Sequence, residues 1–242
     1  MHSSANDRDT RWQVVLASAS PRRKEMLTRL AIRFRVEKPM VDEETDGLSP
    51  LDLAQVNARR KARSVGAFLL RSPGPTQELK EAVLGVDTIV VLDGIVLGKP
   101  RDAREAQAML EALSGRTHEV ISGLHLERMG PAESALTLAC STKVTFRRLS
   151  RRETEWYSNT GEGLDKAGAY GIQDLGSLLV KRIDGCYFNV VGFPVGTFLT
   201  ALKRLSIPLA NLAVEDSPSA SAWASTSFDS AHSPRFGTPN LV

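Results

Sequence analysis

Short apolar stretches alternate with amphipathic stretches along the chain between Arg11 and Leu209. Apolar, β-branched runs that are bounded by glycine, proline or polar clusters indicate strands. The Asp93-Gly94 pair between two such runs is typical of a hairpin turn. The predicted strands are Gln13–Ala17, Phe34–Glu37, Ala82–Leu92, Ile95–Leu97, Glu119–Leu126, Leu136–Arg147 and Ser177–Ile183.

Helix start signals separate these strands. Pro21 and Pro50 suit the first turn of a helix, and Ser49 is a favourable N-cap. Asp102 and Ser150 each stand three residues before a glutamate, in the pattern of a capping box. The predicted helices are Pro21–Leu30, Pro50–Phe68, Asp102–Leu113, Ser150–Asn159 and Pro194–Leu205. This order of elements predicts an α/β or α+β protein with a mixed sheet.

The two ends of the chain differ from this middle part. Residues 1–11 are polar and lack the apolar centre of a signal peptide. From about Asp216 the chain is rich in serine and proline and poor in large aliphatic residues, so it cannot bury enough apolar surface to offset its ordering entropy. We therefore expect a disordered arm over 1–11, one folded domain over 12–209 and a disordered tail over 210–242.

The composition is that of an ordinary globular protein. Hydrophobic residues make up 42% and charged residues 24% of the 242 residues. The formal net charge of +3 argues against a dedicated nucleic-acid binder. Cys140 and Cys186 are too few for a disulfide scaffold, and no apolar run approaches the ~20 residues of a membrane span. We expect a soluble cytoplasmic protein with no membrane partner.

The first candidate for chemistry is Ser18-Ala19-Ser20-Pro21-Arg22-Arg23, where a strand ends and a helix begins. Free backbone N–H groups, hydroxyl groups and guanidinium groups together suit a chain of phosphates. Cations oppose the helix dipole at this end, which favours an anion beside them. An ordinary capped helix start with solvated arginines is the alternative, and the chain contains no Walker A sequence.

The second candidate is Asp87, within the most apolar predicted strand. A carboxylate in such a place costs free energy unless it is paired, hydrogen-bonded or bound to a metal. A catalytic or metal-binding role would explain it, and so would the capping of a neighbouring turn.

Three further segments carry groups that could join such a site. Lys61 lies in a basic helical run whose residues surround the axis, so that one of them could point inward. Lys99 follows the predicted hairpin, and the acidic loop 42–46 offers carboxylates of the kind that Mg²⁺ prefers. Gln173 ends a glycine-rich stretch, and its amide can pair with the N3–H and carbonyl edge of uracil or thymine. Taken alone, each also fits a solvated surface or a structural turn.

Together these segments resemble the Maf family of nucleoside triphosphate pyrophosphatases. The similarity runs in order from about Val14 to Leu205. The matching segments are Leu16–Arg23, Gly85–Thr88, Leu97–Pro100, Leu113–His118, Asp165–Gln173 and Val190–Pro194. So many ordered matches are far more specific than any one of them.

The resemblance implies a two-lobed α/β fold around a long mixed sheet, with a nucleotide in the cleft between the lobes. It implies hydrolysis of a nucleoside triphosphate to the monophosphate and pyrophosphate with Mg²⁺ or Mn²⁺, by a homodimer. The Ile172-Gln173 pair resembles the branch that acts on dTTP and UTP.

The resemblance also implies roles for individual residues. Asp87 matches the catalytic base or metal ligand, and Glu43 matches an acidic-loop carboxylate, with the adjacent Glu44 as the alternative. Lys61 and Lys99 match two lysines of the cleft. The remaining matches are the phosphate-binding Ser18, Arg22 and Arg23, and the substrate-selecting Arg22, Thr88 and Gln173.

Two rival functions remain open. A non-enzymatic regulator of cell division could bind nucleotide or nucleic acid through the basic runs Arg59–Arg63 and Arg147–Arg152, although the low net charge argues against nucleic acid. A broader pyrophosphatase could act on non-canonical purine nucleotides instead.

Overall fold

The computed structural model describes residues 11–43, 47–71, 79–130 and 134–214. The expected arm up to residue 10 and the tail from residue 215 lie outside the described residues, as does Glu44. The strands are β1 (Trp12–Ala17), β2 (Phe34–Glu37), β3 (Lys80–Leu92), β4 (Ile95–Leu97), β5 (Thr117–Arg128), β6 (Ser134–Phe146) and β7 (Val180–Asp184). The α-helices are α1 (Pro21–Arg29), α2 (Pro50–Arg71), α3 (Ala103–Leu113), α4 (Arg151–Asn159), α5 (Tyr187–Val191) and α6 (Val195–Arg204).

These strands form one mixed sheet in the order β2-β1-β3-β5-β6-β7, with β4 paired to β3 as well. Strand β1 runs parallel to β2 and to β3, whereas β3–β4, β3–β5, β5–β6 and β6–β7 are antiparallel pairs. The α/β class and the mixed sheet predicted from the sequence are therefore confirmed.

Strand β3 changes partner along one of its edges. Its first residues, 80–85, pair with β1, and its last residues, 90–92, pair with β4. Residues 86–89 between them pair with neither β1 nor β4, whereas the other edge of β3 pairs with β5 from Ala82 to Val91. The result is a notch in the sheet, and Asp87 and Thr88 lie in it.

Side chains alternate across the sheet, so that neighbouring residues of β3 face different layers. Val83, Ile89 and Val91 pack with residues of α2 in two small buried clusters. Leu84, Val86 and Val90 join the main core on the other face, which includes buried residues of α1, α3, α4 and α6. Asp87 is in step with the first set and Thr88 with the second.

Helix α2 approaches the sheet very closely, because two strands have glycine beneath it. A Cβ at Gly85 would lie 2.1 Å from the Ala58 carbonyl oxygen, and one at Gly123 would lie 2.1 Å from the Ala54 carbonyl oxygen. Gly123 is also the residue of β5 that stands opposite Asp87. Any side chain at either position would push the α2 backbone away from the centre of β3.

The prediction of a strand over Ser177–Ile183 is wrong in its first half. Residues Leu175–Leu179 form a 3-10 helix, and β7 begins only at Val180. The Glu162 carboxylate accepts the backbone N–H groups of Leu175 at 3.0 Å and Gly176 at 3.0 Å. These groups are therefore satisfied by a side chain rather than by a neighbouring strand.

The sequence pattern does not predict helix α5, because its five residues are too few to show a helical period. Asn189 anchors it to the sheet through its amide, which donates to the Val120 carbonyl at 2.8 Å and to Thr142 Oγ1 at 3.0 Å. Gly192 ends the helix with a φ of 108°, a conformation that favours glycine. This turn brings residues 190–192 to the notch.

A short segment that follows α6 packs against the loop before β2. Residues Leu209–Leu212 form a 3-10 helix, the Leu212 side chain is buried, and Ala213 pairs with Ile32 in an antiparallel bridge. Contact with the loop before β2 therefore holds the chain in place as far as Val214, whose N–H donates to the Ala31 carbonyl. Among the described residues, no helix combines the length and apolarity that a bilayer span requires.

Candidate active site

A cavity of about 150 Å³ opens at the notch in the sheet. Its walls come from the start of α1, the loop between β2 and α2, the middle of α2 and β3, the turn after β4, strand β5, the loop between α4 and β7, and the end of α5. Among the described residues, the charged side chains that line it are Arg22, Arg23, Glu43, Lys61, Asp87, Lys99, Asp165 and Lys166. Five cations and three carboxylates leave a surplus of positive charge, which favours a polyanionic ligand.

Arg23 is the buried centre of one wall. Its guanidinium donates to the Gly192 carbonyl at 3.0 Å, to Ser18 Oγ at 3.1 Å and to Thr88 Oγ1 at 3.2 Å. Thr88 Oγ1 in turn lies 2.8 Å from Ser122 Oγ. Burial lowers the pKa of Arg23, and the negative charge of Asp87 opposes that shift. Arg23 thus ties α1, β3 and the Gly192 turn together.

Ser18 stands behind this wall rather than on it. Its side chain is buried, and its hydroxyl accepts the Arg23 guanidinium and the Ser20 N–H at 3.2 Å. Ser20 is the serine that lines the cavity. The sequence pattern predicts the hydroxyl-bearing turn, but it does not tell which of its two serines faces the ligand.

The opposite layer supplies a carboxylate pair that is bridged by a lysine. Lys61 Nζ lies 2.6 Å from Asp87 Oδ1 and 2.5 Å from Glu43 Oε1. The side chains of Lys61 and Asp87 are 10% and 9% exposed, whereas that of Glu43 is 58% exposed. Burial acts to raise the pKa of Glu43, but the hydrogen bond and charge of Lys61, with the charge of Lys99, lower it. Of the basic residues in its helical run, Lys61 is the one that reaches the notch.

This donor set fits a divalent cation that is shared with a ligand. Within the described ranges, no group of three or more His, Cys, Asp or Glu side chains could hold a metal. Two carboxylates are nevertheless a sufficient protein contribution for Mg²⁺ or Mn²⁺ when phosphate oxygens and water complete the shell. Asp87 and Glu43 are thus suited to a metal that a phosphate chain also coordinates.

An ion pair crosses the mouth of the cleft. Arg22 on α1 donates to Asp165 Oδ2 at 2.9 Å, and the two side chains are 26% and 57% exposed. Lys166 donates to the same carboxylate at 2.6 Å. Burial acts to raise the pKa of Asp165, but Lys166 and Arg22 outweigh it and lower the pKa. Asp165 and Lys166 were not among the candidate residues, since neither has a local signal apart from the matching segment that contains it.

The segment that carries Gln173 is held from below by a buried aromatic cluster. Tyr170 Oη lies 2.7 Å from His118 Nε2, and the rings of His118, Phe146 and Tyr170 pack edge to face. Burial lowers the pKa of His118 to about 4, so the imidazole is neutral near pH 7. Tyr170, Ile172 and Gln173 line the cavity.

The structure therefore brings the candidate residues to one place, with Ser18 behind the wall. Those that line the cavity are Arg22, Arg23, Glu43, Lys61, Asp87, Thr88, Lys99 and Gln173. They come from segments up to 151 positions apart, between Arg22 and Gln173, and they meet only in the fold. Fold and site together define an α/β protein with a cationic cleft and a carboxylate pair, suited to bind a chain of phosphates.

The chain belongs to the family of Maf-like proteins, whose sequence model matches residues 13–205. It is 46% identical over 198 residues to a protein of Symbiobacterium thermophilum named dTTP/UTP pyrophosphatase. This match covers 81% of this chain and 96% of that relative. It is 49% identical over 198 residues to the dTTP/UTP pyrophosphatase of Myxococcus xanthus, covering 81% and 94%.

Among solved structures, the chain is similar to a HAM1 protein from Coxiella burnetii. The TM-score is 0.44 at 17% sequence identity, and the match covers 80% of this chain and 99% of that one. At this level the similarity supports no conclusion about activity.

Proposed function

We propose that this protein is a nucleoside triphosphate pyrophosphatase that hydrolyses dTTP and UTP to the monophosphate and pyrophosphate. The observation that carries the proposal is the buried Asp87 carboxylate, which lies in the notch of the sheet and lines a cleft with five cations among its described residues. Membership of the Maf-like family and relatives at 41–49% identity that are named dTTP/UTP pyrophosphatase support it.

Each charged wall of the cleft has a part in the reaction. Arg22, Arg23 and Lys99 bind the phosphate oxygens and stabilise the charge that develops on the leaving pyrophosphate. Asp87 and Glu43 would hold Mg²⁺ or Mn²⁺, which polarises the phosphates and lowers the pKa of a bound water when present. Asp87 accepts the proton of the water that attacks the α-phosphorus, and Lys61, whose Nζ lies 2.6 Å from Asp87 Oδ1, also lines the cleft and binds phosphate once the nucleotide is present.

Selection of the nucleobase is assigned to Gln173, which lines the same cleft. The Gln173 amide can donate to a carbonyl and accept the N3–H of uracil or thymine. Cytosine lacks that N3–H, so a site built on this pairing rejects it. Tyr170 and His118 fix the backbone from which Gln173 projects. Thr88 and Arg22 complete the residues to which selection is assigned.

A panel of nucleotides tests reaction, metal and base together. Pyrophosphate release is measured with dTTP, UTP, CTP, ATP, GTP, ITP and XTP, with and without Mg²⁺ or Mn²⁺. We expect kcat/KM for dTTP and UTP to exceed that for the others by about tenfold or more. Gln173→Leu should reduce this ratio, whereas Gln107→Leu, an exchange of the same kind on α3 away from the cleft, should preserve it.

Two results would assign a different function. Preference for ITP or XTP would favour the broader purine pyrophosphatase over the assignment of Gln173. Salt-sensitive retention of DNA without pyrophosphate release from any nucleotide would favour the non-enzymatic regulator.

We also propose a cytoplasmic homodimer, and light scattering of the purified chain should give twice the monomer mass.

A further inference from the structure

The ammonium group of Lys61 lies between the two carboxylates to which metal binding is assigned. Its distances are 2.5 Å to Glu43 Oε1 and 2.6 Å to Asp87 Oδ1. Both the lysine and Asp87 are buried, and their backbones belong to α2 and β3. The close packing of α2 on Gly85 and Gly123 fixes the distance between those two elements.

A divalent cation and this ammonium group would compete for the same place. Mg²⁺ binds carboxylate oxygens at roughly 2.0–2.1 Å, so a metal shared by Glu43 and Asp87 would lie where Nζ now lies. Two cations in contact would also repel each other strongly in a partly buried site. The lysine must therefore leave at least one carboxylate before a metal can bridge them.

The charge of the whole cleft also opposes the binding of a free divalent cation. Its lining includes five cations and three carboxylates among the described residues, so a free dication meets a positive field. The same positive field attracts a triphosphate. The triphosphate in turn supplies oxygens both for the metal and for the displaced lysine. The long, flexible lysine side chain can move from a carboxylate to a phosphate.

We propose that Lys61 occupies the divalent-cation position of the nucleotide-free protein, so that free metal binds weakly and enters together with the triphosphate. This rests on the proposed function, because it concerns the metal and nucleotide of that same site. Lys61 then serves twice: it keeps Glu43 and Asp87 together in the free protein, and it contacts phosphate in the complex.

The test measures Mn²⁺ binding to the nucleotide-free protein, from the electron paramagnetic resonance signal of free Mn²⁺. We expect the wild type to bind with a Kd of about 0.1 mM or weaker, the range of weak oxygen-ligand sites. Lys61→Met removes the competing charge and should tighten binding about tenfold, which corresponds to about 1.4 kcal/mol. Lys61→Arg keeps the charge and should bind as weakly as the wild type.

Lys203→Met is the matched control, because it removes an exposed positive charge from α6, away from the residues that line the cleft. Solvent screens such a charge, so we expect its effect on Mn²⁺ affinity to stay within about threefold. Circular dichroism and thermal melting establish that each variant is folded.

A folded Lys61→Met protein that binds Mn²⁺ no tighter than the wild type would overturn the proposal. So would a wild-type Kd well below 0.1 mM, a result that requires no variant. Pyrophosphate release from dTTP by the wild type is measured separately. The role of Lys61 and the function of the protein can therefore fail independently.

Discussion

Replacing Gly123 with alanine should impair the enzyme without touching a charged residue. The new Cβ would lie 2.1 Å from the Ala54 carbonyl oxygen, 2.3 Å from its carbon and 2.6 Å from the Gln55 nitrogen. Ordinary contact begins at 3.4 Å, so the backbone must separate by about 1.3 Å to restore it. These atoms belong to the backbone of α2, and no rotamer change can relieve the overlap.

The displacement falls where the proposed chemistry is most sensitive. Gly123 pairs with Asp87 across β3 and β5, and α2 carries Lys61. A shift of ~1 Å in a catalytic group can reduce turnover about 10²-fold, so we expect a loss of that size in kcat/KM for dTTP. Overpacking of this kind costs about 1–3 kcal/mol of unfolding free energy. For a domain of this size, Tm should fall by roughly 2–12 °C.

Steady-state pyrophosphate release and a thermal melt measure the two effects. The control is Gly66→Ala on the same helix, where the nearest atom to a Cβ is the Met129 sulfur at 3.8 Å. That exchange should keep the activity and stabilise the protein by about 0.5–1 kcal/mol, because glycine inside a helix is unfavourable. Wild-type kcat/KM and Tm in Gly123→Ala would refute the argument that close packing of α2 positions Lys61.

Three further predictions concern single side chains. Asp87→Asn should lower kcat at least about 10²-fold with the fold intact, and near-normal pyrophosphate release would contradict its role as base. Asp165→Asn releases Arg22 from an exposed ion pair worth about 1 kcal/mol or less, so KM for dTTP should fall by up to about fivefold; a rise would mean that the carboxylate assists binding. Burial lowers the pKa of His118 to about 4 from 6.5, so the unfolded chain binds its proton first as the pH falls. Between pH 7 and pH 5 this should remove about 2 kcal/mol of unfolding free energy, and an equal loss in His118→Gln, measured by urea titration, would exclude the histidine as the source.

Local patterns predicted most of the elements because their causes are local. The capping box at Ser150, with Glu153 on both its N–H and its hydroxyl, forms as expected and starts α4. The Asp93-Gly94 turn joins β3 and β4, and both its residues adopt positive φ. Asp87 stood out because an isolated carboxylate in an apolar strand requires a partner, and Lys61 is that partner.

Contacts between distant segments explain what the patterns missed. Glu162 organises the 3-10 helix at Leu175, and no local signal marks that carboxylate as its cap. Arg22 and Asp165 are 143 positions apart, so their ion pair depends on how the sheet brings the two walls together. Ser18 lies behind the wall and Ser20 lines the cavity because Arg23 donates to Ser18 Oγ, and that contact depends on how Arg23 packs in the folded protein.

Neighbouring side chains of a strand point to opposite faces of the sheet, so Asp87 and Thr88 contact different layers of the protein. Asp87 pairs with Lys61 of α2, whereas Thr88 forms hydrogen bonds with Arg23, Ser122 and the Gly192 carbonyl. Substitutions of the uncharged Thr88 or Ser122 should therefore alter which nucleotide is accepted and leave the charges of the proposed metal ligands in place. Nucleotide preference in this fold should accordingly be open to redesign, or to drift, one layer at a time.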